Sequence, residues 1–240
     1  MICSFNGKPF PDKVGMISWS AESPEVKFRT LDLPQRRGMI RAGRKYGERI
    51  VRMKLKLWGG SIEENTMILQ QLTEWCMSDG AAPLYLPTVP DRYLMAECQK
   101  FPEAEISVLD NDFEIEFMCH RPEWKSPFTR TATPGQAFSV LGTLPVPFII
   151  EGAFSALQLS DAEFQLDGET FLKLDGGASQ SGGELLIDTE QAAVMLDSND
   201  ISGWASIESD LDQLLSPGVH TISIPGDTSG IAIRWHDAWI

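Results

Sequence analysis

Few side chains in this chain could do chemistry, and their spacing matches no catalytic motif. Residues 38–45 resemble the glycine-rich loop that cradles a phosphate, with glycines at 38 and 43 and a lysine at 45. The lysine stands one place late, however, and Tyr46 occupies the position that needs Ser or Thr at the start of a helix. The histidines lie far apart, and none has a motif around it: His120, His220 and His236. We therefore expect no enzyme activity and no nucleotide site.

The cysteines and carboxylates point to no metal site. Cys3, Cys76, Cys98 and Cys119 are widely spaced, with no Cys-x-x-Cys and no paired histidine, so we expect reduced and largely buried thiols. Acidic pairs are frequent in the second half of the chain. They leave a glycosidase open as an alternative, because such enzymes place two carboxylates across a cleft. We expect neither a metal ion nor a cofactor.

A cluster of basic residues is more informative. From residue 36 to residue 56 the only acidic side chain is Glu48. Glycines at 38, 43 and 47 predict a flexible loop for the first part of this cluster. A solvated loop and strand face is one interpretation. The other is a surface that meets acidic partners, either carboxylates of a neighbouring subunit or nucleic acid passing through a channel. The candidate residues of this basic loop are Arg36, Arg37, Arg41, Arg44 and Lys45.

Three tryptophans of the second half could stack on sugar rings. Trp204, Trp235 and Trp239 lie in a segment rich in short apolar runs, where a tryptophan also serves as core or edge packing. Both interpretations stay open, and they differ in whether the rings are exposed.

The first half combines strands with one helix. Asn6 and Gly7 suit a tight hairpin turn, and within residues 49–58 basic and apolar side chains alternate from Arg52 onward as in a half-buried strand. Ser61 with Glu64 makes a capping box, followed by an apolar stripe that predicts a helix at about 62–78, with Gly80 as its stop. Further strands are expected at 84–86, 93–98, 104–109 and 113–119. Between the hairpin and residue 49 we expect an irregular stretch.

The second half predicts an almost entirely β structure. Short apolar runs alternate with glycine-containing turns, which is typical of a β-sandwich or jelly roll. The expected strands are 148–150, 156–159, 171–174, 185–187, 192–196, 219–224 and 231–235.

The charge of the chain divides at residues 131–135, a run of turn-forming residues. The chain carries 20 Lys and Arg against 34 Asp and Glu, and only Lys173 and Arg234 of these cations follow residue 130. The net charge of −14 therefore lies entirely in the second part. The sequence predicts a neutral domain over 1–130 and an acidic domain over 131–240. We expect no membrane insertion and no secretion signal, because no apolar run is long enough and the first residues lack a signal pattern.

The order of several short motifs resembles the distal tail proteins (Dit) of long-tailed, non-contractile bacteriophages. The helix that bears Leu72 and Trp75 stands at the matching place. The other matching segments are 4–7, 33–38, 46–50, 90–96, 117–124, 215–222 and 231–239.

The resemblance implies a structural virion protein at the tail tip, made in the host cytoplasm. The first domain, a β-barrel or sheet with one helix, would form a homo-hexameric ring around a channel in which DNA is only passing cargo. The second would be a galectin-like or jelly-roll sandwich outside the ring. Such a hub joins the tail tube to tail-tip and receptor-binding proteins. The alternatives are a carbohydrate-binding module protein of the tail tip and a tail-associated cell-wall hydrolase.

Overall fold

The chain opens with the tight hairpin that Asn6 and Gly7 predict. Strand β1 (Ser4–Phe5) pairs with β2 (Lys8–Pro9). Asn6 has a φ of 50° and Gly7 a φ of 71°, the positive angles that a type I′ turn requires at both positions. The computed structural model describes residues 3–32, 39–102, 112–154, 162–176, 183–226 and 229–240.

The first of two compact units, Met1–Trp124, is built on an antiparallel sheet. Its remaining strands are β3 (Val14–Ala21), β4 (Val26–Asp32), β5 (Met39–Tyr46), β6 (Arg49–Leu57), β7 (Ala82–Leu86), β8 (Val89–Lys100) and β9 (Asp112–Cys119). The main sheet has the order β2–β1–β7–β8–β9–β6–β3, whereas β4 and β5 form a separate two-stranded sheet.

The stretch expected to be irregular instead contains β3, β4 and β5. The sequence does not predict strand β3 because its side chains do not alternate with a period of two. Its register against β6 shifts between Met16 and Ser18, which breaks that alternation. The sequence does not predict strand β4 either, because its described side chains are exposed on both faces and show no alternation of apolar and polar residues.

Strand β6 follows the predicted alternation. Met53, Leu55 and Leu57 are buried, and Lys54 between them is exposed. Its cations face the carboxylates of β9. Arg52 Nε lies 3.2 Å from Glu116, and Lys56 Nζ lies 3.2 Å from Asp112. The expected basic face of β6 is therefore largely neutralised within the sheet.

The helix α1 (Ile62–Cys76) begins as predicted and ends differently. Ser61 Oγ accepts the amide of Glu64 at 3.2 Å, while the Glu64 carboxylate accepts the amide of Gly60, one residue before the expected Ser61. At the other end Met77 leaves the helix in an extended conformation, with φ −76° and ψ 132°. Gly80 comes three residues later, so the expected glycine cap is wrong.

One face of α1 packs on the sheet. Ile68 and Leu72 are buried, and Trp75 meets both Phe5 and Phe117 edge to face, with ring centroids 5.7 and 5.9 Å apart. Burial of this apolar stripe holds the helix, since an isolated helix of this length is marginal in water.

The second unit, Lys125–Ile240, is a two-sheet sandwich. The chain enters it through β10 (Trp124–Lys125). One sheet has the order β11 (Arg130–Ala132), β20 (Gly230–Trp235), β13 (Phe148–Phe154), β16 (Gly183–Asp188), β17 (Ala193–Leu196), β18 (Asn199–Asp200). The other has the order β12 (Ala137–Val140), β19 (Gly218–Ser223), β14 (Ala162–Leu166), β15 (Glu169–Leu174). A short β21 (Ala238–Trp239) follows.

The inward faces of these sheets share one core. Ile150, Ile187 and Ile233 come from the first sheet, and Phe164 and Leu172 from the second. The predicted mainly β fold, with a sandwich in the second half, is confirmed. The expected strands at 104–109 and 156–159 lie outside the described residues.

The expected linker is partly a strand. Thr131 pairs with Arg234 in the ladder of β11 and β20, so residues 130–132 extend a sheet of the second unit. The division between the compact units falls after Trp124, a few residues before the predicted boundary.

The cap of α1 gives a first prediction. Ser61→Ala removes the acceptor of the Glu64 amide and should lower the free energy of unfolding by about 1 kcal/mol. Urea unfolding followed by circular dichroism measures it. Thr66→Ala in the first turns is the control, and equal loss from both variants would contradict a specific role of the cap.

Candidate functional site

The predicted basic loop is instead a strand of a basic hairpin, which we define as β4 and β5. Arg44 and Lys45 lie on β5, and Arg41 belongs to the same strand with its side chain outside the described set. Arg36 and Arg37 lie outside the described residues. The hairpin pairs with no other described strand and so forms a sheet of its own.

The register of the hairpin sorts its side chains onto two faces. Val26 faces Tyr46 and Phe28 faces Arg44 across the ladder, so the described part of one face is apolar and aromatic and carries Arg44. The Arg44 guanidinium lies 4.8 Å from the centre of the Tyr46 ring, within cation–π distance. The side chains of Val26 and Phe28 are 41% and 56% exposed.

The opposite face of the hairpin is basic. Lys27 stands directly opposite Lys45, and Arg29 lies beside them opposite Gly43. Like charges at paired positions destabilise a ladder, and a lone two-stranded hairpin is marginally stable in water. Lys27 lies 3.2 Å from the exposed Glu25 carboxylate, a pair that contributes little. Exposed apolar and unbalanced basic surfaces on one hairpin are typical of a segment that meets a partner.

The base of the hairpin is firmly fixed. The amide of Gly47 donates to the carbonyl of Glu25 at 2.7 Å. Arg49, which follows, is buried rather than part of the basic surface, and its Nε donates to the Pro122 carbonyl at 2.8 Å. Its Nη1 donates to the Glu22 carbonyl at 3.2 Å. Burial lowers the pKa of Arg49, whose side chain links the segment before β4 to Pro122.

The three candidate tryptophans do not form one sugar-stacking surface. Trp235 is 4% exposed, its ring centre lies 4.7 Å from that of Phe138, and its Nε1 donates to Asp237. Its faces are therefore not available to a sugar. Trp204 is half-buried on a 3₁₀ turn against Gly176, and Trp239 is half-buried on β21. A sugar-stacking role for these two stays a prediction.

Asp237, which sequence reasoning missed, organises the end of the second unit. Its fully buried carboxylate accepts from Arg130 Nε at 3.0 Å, from the Leu141 amide at 2.9 Å and from Trp235 Nε1 at 3.3 Å. Nothing around this residue in the sequence marks it, because two of its three donors, Arg130 and Leu141, come from distant segments.

The histidines serve as structural links. His220 Nδ1 lies 2.7 Å from the Asp167 carboxylate, and its Nε2 lies 2.6 Å from the Ser216 carbonyl. Asp167 also accepts the amide of Thr221, so it ties the β14–β15 turn to β19. His120 lies near Glu48, and His236 near the Ser126 carbonyl, on separate elements.

The cysteines are buried and reduced as predicted. Burial raises the pKa of Cys3 and Cys119 to about 12, which keeps both as unreactive thiols. No cluster of possible metal ligands occurs within the described ranges. None of the helical segments in the described part of the chain has the length and apolar character needed to cross a membrane.

The second unit matches a known family. Residues 141–239 match the siphovirus-type tail component, C-terminal domain. The matched segment covers most of the two-sheet sandwich, from just after β12 to the end of β21.

The fold of the whole chain is similar to that of solved structures from phages. The Dit protein of phage SPP1, described as a paradigm of hub adsorption apparatus in Gram-positive infecting phages, aligns over 100% of this chain and 99% of its own, with a TM-score of 0.76 and 16% identity. A chain of the phage P2 baseplate, in its activated conformation with Ca, aligns over 94% of this chain and 90% of its own, with a TM-score of 0.50 and 10% identity. A chain of the same baseplate with Sr aligns over 93% of this chain and 90% of its own, with a TM-score of 0.50 and 12% identity.

No curated protein matches the chain by sequence. The family match and the shared fold together confirm the predicted resemblance to the distal tail proteins.

Asp237 provides a second prediction. Asp237→Ala leaves the Leu141 amide and the Trp235 indole N–H without their acceptor, so the free energy of unfolding should fall by about 2 to 4 kcal/mol. Urea titration followed by tryptophan fluorescence measures this. The exposed Glu208→Ala is the matched control, and a loss below about 0.5 kcal/mol for Asp237→Ala would show that the carboxylate is dispensable.

Asp167 gives a prediction about acid stability. Partial burial raises the pKa of Asp167, but hydrogen bonds with His220 and the Thr221 amide outweigh it and hold the pKa below its usual value. A lowered folded-state pKa contributes stability above the unfolded value of about 3.9, and that stability is lost as the pH falls through the folded value.

Asp167→Asn should therefore flatten the decline of the urea midpoint below pH ~4, where protonation of Asp167 otherwise weakens the link to His220. Glu208→Gln, which removes an exposed carboxylate without these partners, should keep the wild-type slope. If the urea midpoints of wild type and Asp167→Asn fall in parallel as the pH is lowered, Asp167 is not the group that causes the acid sensitivity.

Proposed function

We propose that this chain is the distal tail protein of a siphovirus-type phage. It assembles as a homo-hexameric ring at the tail tip and joins the tail tube to the tip and host-recognition proteins. Its function is structural, without catalysis or cofactor. It is made in the host cytoplasm and is located in the virion after assembly. The observation that carries the proposal is the alignment of the complete chain with nearly the complete SPP1 Dit, a protein described as a hub.

The surfaces of the first unit support self-assembly. Strand β3 is the last strand in the order of the main sheet, so one of its edges lacks a strand partner among the described residues. Ile17 on this strand is 55% exposed. An open edge with an exposed apolar side chain favours pairing with another chain. The domains would then divide their tasks, with residues 1–130 forming the ring and 131–240 carrying the outer sandwich.

The basic hairpin supports the same function. Its cations have few carboxylates beside them, in contrast to those of β6, which face β9. In a ring, each hairpin would lie against the carboxylates of a neighbouring subunit or line the channel through which DNA passes. Unbalanced charge of this kind supplies specificity and orientation when two copies meet.

The mass of the particle in solution tests the ring. Native mass spectrometry and sedimentation velocity should find a particle of about 160 kDa, six times the 26.6 kDa chain, with a central opening in negative-stain images. A chain that stays monomeric at ~100 µM would contradict assembly through its own surfaces.

Charge reversal tests the part played by the hairpin. Arg44→Glu with Lys45→Glu should weaken association about tenfold or more, because repulsion replaces attraction at the interface. Lys8→Glu with Lys100→Glu makes the same charge change at exposed positions elsewhere in the first unit and should leave the mass unchanged. If the two double variants associate equally strongly, the hairpin is not part of the interface between subunits.

A further inference from the structure

The outer face of the larger sheet in the second unit carries a groove of about 420 Å³. Ala232, Glu151, Leu186 and Met195 lie side by side across its floor, on β20, β13, β16 and β17. They point away from the core because their neighbours along each strand, such as Ile150, are buried. This row, which we call the open-sheet groove, offers half-buried aliphatic side chains on either side of Glu151, on a sheet face outside the core.

The charge of the open-sheet groove is negative. Arg234 lies 2.7 Å from Glu151, so the cation at this rim is already matched. Glu184 at the other rim is exposed, and no Lys or Arg among the described side chains forms an ion pair with it. The Asp197 carboxylate lies close by, accepting the Glu184 amide at 2.8 Å. An apolar floor with an acidic rim fits a ligand that combines an apolar or aromatic group with a cation.

The basic hairpin has this combination on one face. Phe28 and Arg44 stand opposite each other in its ladder, and Val26 lies beside them. Aromatic and arginine side chains are the usual anchors of protein interfaces. The cation of this face, Arg44, corresponds to the exposed carboxylate of Glu184, and the exposed Phe28 corresponds to the aliphatic floor.

We propose that the open-sheet groove of one copy receives the basic hairpin of a second copy, with Phe28 over Leu186 and Met195 and with Arg44 beside Glu184. The two surfaces lie in different units of the chain, so the contact joins unlike patches, and contacts of this type close into rings when the rotation fits. The inference rests on the proposed function and names the surface that the hairpin meets.

A charge exchange tests the contact. Arg44→Glu and Glu184→Lys should each weaken self-association about tenfold in sedimentation equilibrium, and the double variant should return to within about threefold of wild type. Glu169→Lys makes the same change at an exposed position of the other sheet and should leave association unaltered. Restoration by the double variant also shows that both single variants fold.

Cysteine pairing gives a second measurement that does not depend on charge. Phe28→Cys with Met195→Cys should form a disulfide between copies under mild oxidation with copper phenanthroline, seen as ladders on non-reducing gels. Phe28→Cys with Val219→Cys, a 70% exposed position on the other sheet, should not.

The outcomes separate the two proposals. If Arg44→Glu weakens association while Glu184→Lys does not, the hairpin meets another surface, and the inference fails while the proposed function stands. If neither reversal matters and Phe28→Cys with Met195→Cys gives no linked copies, the groove has another occupant and the inference is overturned.

Discussion

The register between β6 and β9 determines which cations of this chain belong to the fold. It places Arg52 opposite Glu116 and Lys56 opposite Asp112, so carboxylates of β9 pair with the basic side chains of β6 within the sheet. The register of β4 and β5 does the reverse, since Lys27 lies opposite Lys45. Cross-strand pairs are the unit of sheet stability, and like charges at such pairs oppose it. The same residue type is thus paired with carboxylates on β6 and set opposite another cation in the hairpin.

A buried carboxylate plays the corresponding organising role in the sandwich. Asp237 gathers the side chain of Arg130, the amide of Leu141 and the indole of Trp235, which come from three segments of the second unit. Trp235 is held in the core by this bond and by Phe138, and the outer face of the larger sheet carries aliphatic and acidic side chains together with Arg234. The acidic character of the second half therefore lies largely on its surface, where it can meet basic partners.

The candidate site was predictable in composition but not in form. Residue types alone marked the cluster around Arg44 and Lys45, because an excess of one charge is visible in any sequence. That this cluster includes a strand depends on pairing between β4 and β5, whose alternation is too weak to be recognised locally. Trp235 shows the same limit, since burial of an aromatic ring depends on which strand faces it.

By itself the sequence determined the elements whose signals are local: the Asn6-Gly7 hairpin, the start of α1 at Ser61, the alternation of β6 and the β character of the second half. Periodicity, capping and turn preferences act over a few residues, so they are readable in one dimension. Only the tertiary structure decided the partners of β3, the gathering of donors around Asp237 and the isolation of the basic hairpin. These depend on contacts between residues far apart in the chain, and such contacts follow from register and shared burial rather than from any local pattern.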